Sequence, residues 1–194
     1  WHLLPMKLYR PSPANYRHLP ATTMMTSRGC PFNCIFCHKP IFGRQFRPHS
    51  ARRVVTEIQH LQKNYGIKDI QFFDDTFTLD RKRVVDICNM LIKKSVNISW
   101  NCMTRVDCVD EDLLKLMKRA GCYEVSYGIE SGSDRIIKLI DKGATKDQVR
   151  KAVTAAKKAH LDIRGAFMIG FPSETKKDIE KTISFAKKLN IDIA

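Results

Sequence analysis

Residues 22–37 read Thr-Thr-Met-Met-Thr-Ser-Arg-Gly-Cys-Pro-Phe-Asn-Cys-Ile-Phe-Cys. Thr22 to Ser27 is expected to form a strand that runs straight into a loop carrying Cys30, Cys34 and Cys37. The spacing Cys-x3-Cys-x2-Cys brings three thiolates to one side of a tight turn and supplies no fourth nearby. A cube-shaped iron–sulfur cluster held there keeps one iron free of protein ligands. An open position is where a metal site does chemistry, whereas a cluster that only passes electrons is normally closed by four protein ligands. The loop therefore points to catalysis.

Three other readings of the loop stand beside it. Cys34-Ile35-Phe36-Cys37-His38 spells the haem-attachment pattern of c-type cytochromes, which needs export and a small helical domain. A zinc site on Cys30, Cys34, Cys37 and His38 asks adjacent residues to reach one tetrahedral ion, and no second ligand pair follows. Plain reduced thiols are the third.

The chain has 194 residues, enough for one domain with a substantial core, and 43% hydrophobic content argues against disorder. Seven cysteines, an odd number, fit a reducing cytoplasm, and there is neither an export signal nor an apolar run long enough to span a bilayer. A net charge of +14 would suit RNA as partner, a reading not favoured, because most basic residues recur on the polar faces of expected helices. Arg28, Lys39, Arg44, Arg47, Arg52 and Arg53 crowd the cysteine loop instead, where they suit an acidic electron donor of the flavodoxin or ferredoxin type.

Outward from the loop, helical and strand patterns alternate. Helices are expected over 51–65, 79–94, 110–120, 145–159 and 175–189, with a short piece at 134–140. Strands are expected over 67–73, 98–103, 123–128 and 163–169. The helix-to-strand junctions Tyr65-Gly66-Ile67, Ala120-Gly121-Cys122 and Leu189-Asn190-Ile191 resemble one another and recur at the span of a βα unit. The expected fold is α/β, a partial (β/α)6 TIM-like barrel of parallel strands, truncated as strand six begins. In such a barrel ligands gather at the C-terminal strand ends. The unusual residues fall there: the cysteine loop, Asp74-Asp75-Thr76, Arg105 with Asp107, Glu130-Ser131-Gly132, and Gly170 to Glu174. Each alone also reads as turn chemistry or a helix cap.

This pattern resembles the radical S-adenosylmethionine superfamily, whose hallmark is Cys-x3-Cys-x-aromatic-Cys after the first strand, with Phe36 in the aromatic position. The resemblance implies a 4Fe-4S cluster on Cys30, Cys34 and Cys37 whose open iron chelates S-adenosylmethionine. One electron then splits a carbon–sulfur bond, giving methionine and a 5′-deoxyadenosyl radical that abstracts hydrogen from a substrate. It further implies Phe36 near the adenine, and Asp74, Asp75 and Thr76 in place of the usual Gly-Gly-Glu that meets the methionine amino group. Glu130 and Ser131 fall beside the ribose or methionine part, Met168, Gly170 and Glu174 fall along the adenine, and Arg105 falls on the carboxylate.

Thr-Ser-Arg-Gly-Cys-Pro, Asp-Asp-Thr-Phe, Arg-Val-Asp and Tyr-Gly-Ile-Glu-Ser-Gly look most like the branch with a cobalamin-binding domain ahead of the barrel. Residues 1–20 then form the linker from that domain and 21–194 the core, incomplete at its C-terminus. A competing branch methylthiolates RNA. The non-enzymatic alternatives are a ferredoxin-like carrier, which wants a fourth cysteine, and an inactive RNA-binding barrel. Cys88 and Cys122 read as buried thiols, Cys102 and Cys108 as nearer the mouth, and His38, His49 and His160 as surface or capping residues.

Overall fold

The computed structural model describes residues 1, 3–9, 12, 15–38 and 40–194. Five strands, β1 (Ala21–Met24), β4 (Asp69–Phe72), β5 (Ser99–Thr104), β6 (Cys122–Glu130) and β7 (Asp162–Phe167), pair in chain order, every neighbour parallel. The separate antiparallel pair β2 (Ser27–Arg28) and β3 (Arg47–Pro48) brackets the cysteine loop. Between the parallel strands run α1 (Ala51–Tyr65), α2 (Arg81–Lys93), α3 (Glu111–Arg119), the short α4 (Asp134–Leu139) and α5 (Lys146–Lys158). Helix α6 (Lys176–Leu189) follows β7. Because the strand order never reverses, the sheet has no switch point and its strands curl around one axis as a partial barrel. Past α6, Ile193 pairs in parallel with Arg164, so a sixth strand position opens where expected.

Local chemistry sets the helix starts. Ser50, Asp80 and Asp110 each accept a backbone N–H from the first turn, and Thr145 and Thr175 close reciprocal capping boxes with Gln148 and Asp178. Each helix spends its apolar stripe on the sheet: Val54, Val55, Ile58 and Leu61 of α1 are fully buried. Each such Val, Ile or Leu contributes about 1.5–3 kcal/mol. At the centre Phe72 stacks on Phe77 at 4.6 Å, and Trp100 meets Phe72 edge-on while donating its indole N–H to the Ala120 carbonyl at 2.8 Å. Among the described residues no helix is long and apolar enough to cross a membrane.

One expectation changes. The first strand ends at Met24 rather than Ser27. Beyond it the Thr26 backbone N–H goes to Asp74, and its carbonyl accepts from His49 N and Arg83, so the parallel ladder cannot continue. Ahead of β1, residues 15–18 pack against the strand starts. The backbone N–H groups of Arg17 and His18 donate to Asp69 at 2.7 and 3.1 Å, and the Asn15 carbonyl accepts from Asn101 and Tyr123. Arg17 pairs with Asp162 and lies over the Tyr123 ring. Residues 15–18 thus floor the barrel at the N-terminal ends of β4, β5, β6 and β7.

Candidate active site at the strand ends

The cysteine loop is shaped by contacts within its own turn and by one hydrogen bond from the end of α4. Gly29 takes φ +86°, and a Cβ there would sit 2.1 Å from the Gln45 carbonyl oxygen, so the loop closes on itself at a glycine. Cys30 N–H donates to the Gly43 carbonyl at 3.3 Å and Ile35 N–H to the Ile140 carbonyl at 3.1 Å. Arg44 holds Asn33, and Arg47 holds the Gln45 and Phe42 carbonyls. These arginines brace the loop. Arg52 and Arg53 instead line a surface depression on α1, and Lys39 lies outside the described residues.

Cys30, Cys34 and Cys37 line one cavity of about 120 Å³ together with Phe32, His38 and Asp75. Among the described residues no three His, Cys, Asp or Glu side chains close on a single metal ion. Three cysteines lining one cavity are a soft donor set that an iron–sulfur cluster can use, and a guanidinium is held against one of them.

That guanidinium is Arg105. Nε and Nη2 donate bidentately to Asp107 at 2.8 and 2.7 Å, Nη2 also donates to the Lys142 carbonyl at 2.7 Å, and Nη1 reaches Cys34 Sγ at 3.7 Å. Its plane lies 3.6 Å over the Phe32 ring. Burial works against the Arg105 charge, but Asp107 and, behind it, the Cys34 and Cys108 thiols hold its pKa above the ordinary arginine value. With each of its nitrogens in contact, Arg105 braces the cysteine loop.

The two aspartates after β4 separate in the same way. Asp74 is 1% exposed and accepts from Thr26 N, Thr26 Oγ1 and Ser27 Oγ, each at 2.6 Å, with Arg83 at 3.9 Å behind it. It locks the stem of the cysteine loop. Asp75 is exposed and faces the cavity, while Thr76 is buried and donates to the Asp75 carbonyl. After β6, Glu130 takes φ +68° and makes a buried ion pair with Lys142 at 2.6 Å, and Lys142 Nζ lies 5.9 Å from the Phe36 ring. Lys142 was not among the expected site residues. Its sequence signal, one lysine in a loop of a lysine-rich chain, is indistinguishable from a solvated one.

Ser131 turns away from the mouth: fully buried, it bonds Thr182 of α6 and accepts from Ser133 N. Glu174 closes its own turn by accepting from the Gly170 and Phe171 N–H groups at 2.5 and 3.2 Å. Met168 is 38% exposed and bonded through its N–H to the Glu130 carbonyl, which ties the ends of β6 and β7 together. Gly170 has φ +98° with no atom within 4 Å of where a Cβ would stand, so conformation rather than crowding selects glycine there. The Phe36 ring lies 6.0 Å from that of Phe171, which itself forms a small buried apolar cluster with Ile136 and Ile140. Cys88, Cys102 and Cys122 are core thiols, which removes Cys102 from the mouth, while Cys108 is half-buried beside Asp107.

A profile of the Radical SAM superfamily matches residues 24–186, the cysteine loop and all five strand ends included. The chain belongs to the Radical SAM superfamily. An uncharacterized methyltransferase of Pyrococcus horikoshii is 47% identical over 195 residues, covering 100% of the chain and 41% of that protein. An anaerobic magnesium-protoporphyrin IX monomethyl ester cyclase of Rubrivivax gelatinosus is 31% identical, covering 100% and 35%. The structure of the radical S-adenosylmethionine methyltransferase TsrM of Kitasatospora setae superposes with a TM-score of 0.80 at 18% identity, over 88% of the chain and 34% of TsrM. The chain thus spans about two fifths or less of these relatives, and their likeness fixes the Radical SAM core.

Proposed function

We propose that this chain is the core of a radical S-adenosylmethionine enzyme in which Cys30, Cys34 and Cys37 hold a 4Fe-4S cluster, and that the full protein methylates or cyclises its substrate. The observation that carries the reading is the single cavity shared by three thiols and Asp75 at the C-terminal strand ends, in a chain of this superfamily. When bound, the cluster would supply the one electron that splits a carbon–sulfur bond of S-adenosylmethionine into methionine and a 5′-deoxyadenosyl radical, which becomes 5′-deoxyadenosine on taking a hydrogen atom.

The chain's own residues do the rest. Asp75 accepts from the cofactor ammonium, a charge-assisted contact. Glu130, with its partner Lys142, faces the methionine or ribose part, and Phe36 packs near the adenine along Met168 and Gly170. Residues 1–20 lead from a cobalamin-binding domain, a reading supported by the likeness of the chain to the cobalamin-dependent S-adenosylmethionine radical enzyme OxsB, at 25% identity and a TM-score of 0.77. The reductant is an acidic flavodoxin- or ferredoxin-type protein in the cytoplasm.

Anaerobic reconstitution of the full-length protein is expected to give about four irons and four sulfides per chain. With a strong reductant it is expected to release 5′-deoxyadenosine on chromatography. Cys30→Ala, Cys34→Ala and Cys37→Ala each abolish both signals, and Cys88→Ala keeps them. One zinc per chain with no iron-dependent absorption overturns the proposal.

A further inference from the structure

A guanidinium nitrogen is aimed at the sulfur of Cys34, Arg105 Nη1 at 3.7 Å. The direction is imposed from outside the loop. Asp107 grips the Nε and Nη2 edge, the Lys142 carbonyl takes a second Nη2 hydrogen, and Phe32 covers the face, which leaves Nη1 as the end that meets sulfur. The arginine is 6% exposed, so water does not screen the contact, and the grip removes rotamer freedom that a lysine would keep. Because Asp107 neutralises the arginine, the pair acts as a fixed dipole with its positive end on Cys34 and its negative end away.

We propose that the Arg105–Asp107 pair is a tuning clamp on Cys34 that raises the reduction potential of the cluster. The inference rests on the cluster reading above. A donor to a ligand sulfur and a nearby positive charge both favour the state with one more electron, since that state places more negative charge on sulfur. Reduction adds one electron from the reductant; Arg105 neither gains nor loses a proton and no bond to it forms or breaks. Arg105 is thus a positioning residue, and so is Asp107. The two carry opposite charges at different distances from sulfur, so their removal moves the potential in opposite directions, which loss of packing alone does not.

The test is a reductive titration of the full-length, cluster-loaded protein followed by electron paramagnetic resonance, with iron and sulfide measured on each sample. Arg105→Gln is expected to lower the reduced-to-oxidised ratio at fixed potential about tenfold, ~59 mV for a one-electron couple. Asp107→Asn, which leaves the guanidinium uncompensated, is expected to shift it upward. Unchanged potentials, or shifts of the same sign, overturn the clamp. Should Arg105→Gln fail to take up iron, Asp107→Asn decides alone, an upward shift supporting the proposal and any other result overturning it. If the unmutated protein itself takes up no cluster, the functional reading fails first, and the iron and sulfide analysis separates that failure from this one.

Discussion

Replacing Asp74 by Ala separates structural from cofactor roles at the end of β4. The carboxylate is buried, accepts three hydrogen bonds at 2.6 Å from Thr26 and Ser27, and faces Arg83 at 3.9 Å. Its removal strands the Thr26 N–H in a fully buried position and leaves Arg83 as a buried charge without its carboxylate. Arg83 keeps bonds to the His49 and Thr26 carbonyls, and its Nη1 already lacks a partner among the described residues. Breaking one side of a buried pair costs about 3–5 kcal/mol. At about 2–4 °C per kcal/mol for a domain of this size, the melting temperature drops by about 6–20 °C. Urea unfolding of the cluster-free protein reads the loss directly. Asp75→Ala, whose side chain is exposed, is expected to stay within about 0.5 kcal/mol of the parent while weakening S-adenosylmethionine binding by about 1–3 kcal/mol in calorimetry. A loss below about 1 kcal/mol for Asp74→Ala with an unchanged urea slope refutes the structural assignment. Unchanged affinity for Asp75→Ala removes that residue from the site.

Gly29→Ala carries about 1–3 kcal/mol of backbone strain at φ +86° before the clash with the Gln45 carbonyl is counted, so the variant is expected to bind little iron on reconstitution while its far-ultraviolet circular dichroism stays near the parent's. Stability falls in acid: Arg135, Ser133 and Thr175 hold the Asp178 carboxyl far below the usual range, and Lys115 and Lys158 hold Glu111 at about 2. Both groups bind protons more readily unfolded, so their contribution is full above about pH 5 and is lost as pH falls toward 2. Asp178→Asn is expected to flatten that slope in urea titrations of the cluster-free protein, and an unchanged slope removes Asp178 as its source.

Much of this protein is local and therefore legible in the chain. The βα alternation is written in the change from a helical stripe such as Val54, Val55, Ile58 and Leu61 to short β-rich runs, and helix starts are written in Ser50, Asp80, Asp110, Thr145 and Thr175. The cysteine motif is legible for the same reason, because its three thiols come from one eight-residue loop whose spacing limits what they can hold. Side chains after a strand are another matter. Asp74 and Asp75 are identical residues one position apart, yet one is buried in a lock on Thr26 and the other faces the cavity, a difference created by β1 and α2 packing alongside. Arg105 lies 71 positions from Cys34, and only the packing of the β5 end against the cysteine loop brings it onto the thiol. The Glu130–Lys142 pair, Ser131 turned onto α6, and residues 15–18 flooring the barrel follow the same rule. Spacing along the chain dictates which groups can share a turn; which of them stay free to meet a ligand is decided by what the neighbouring units bring against them.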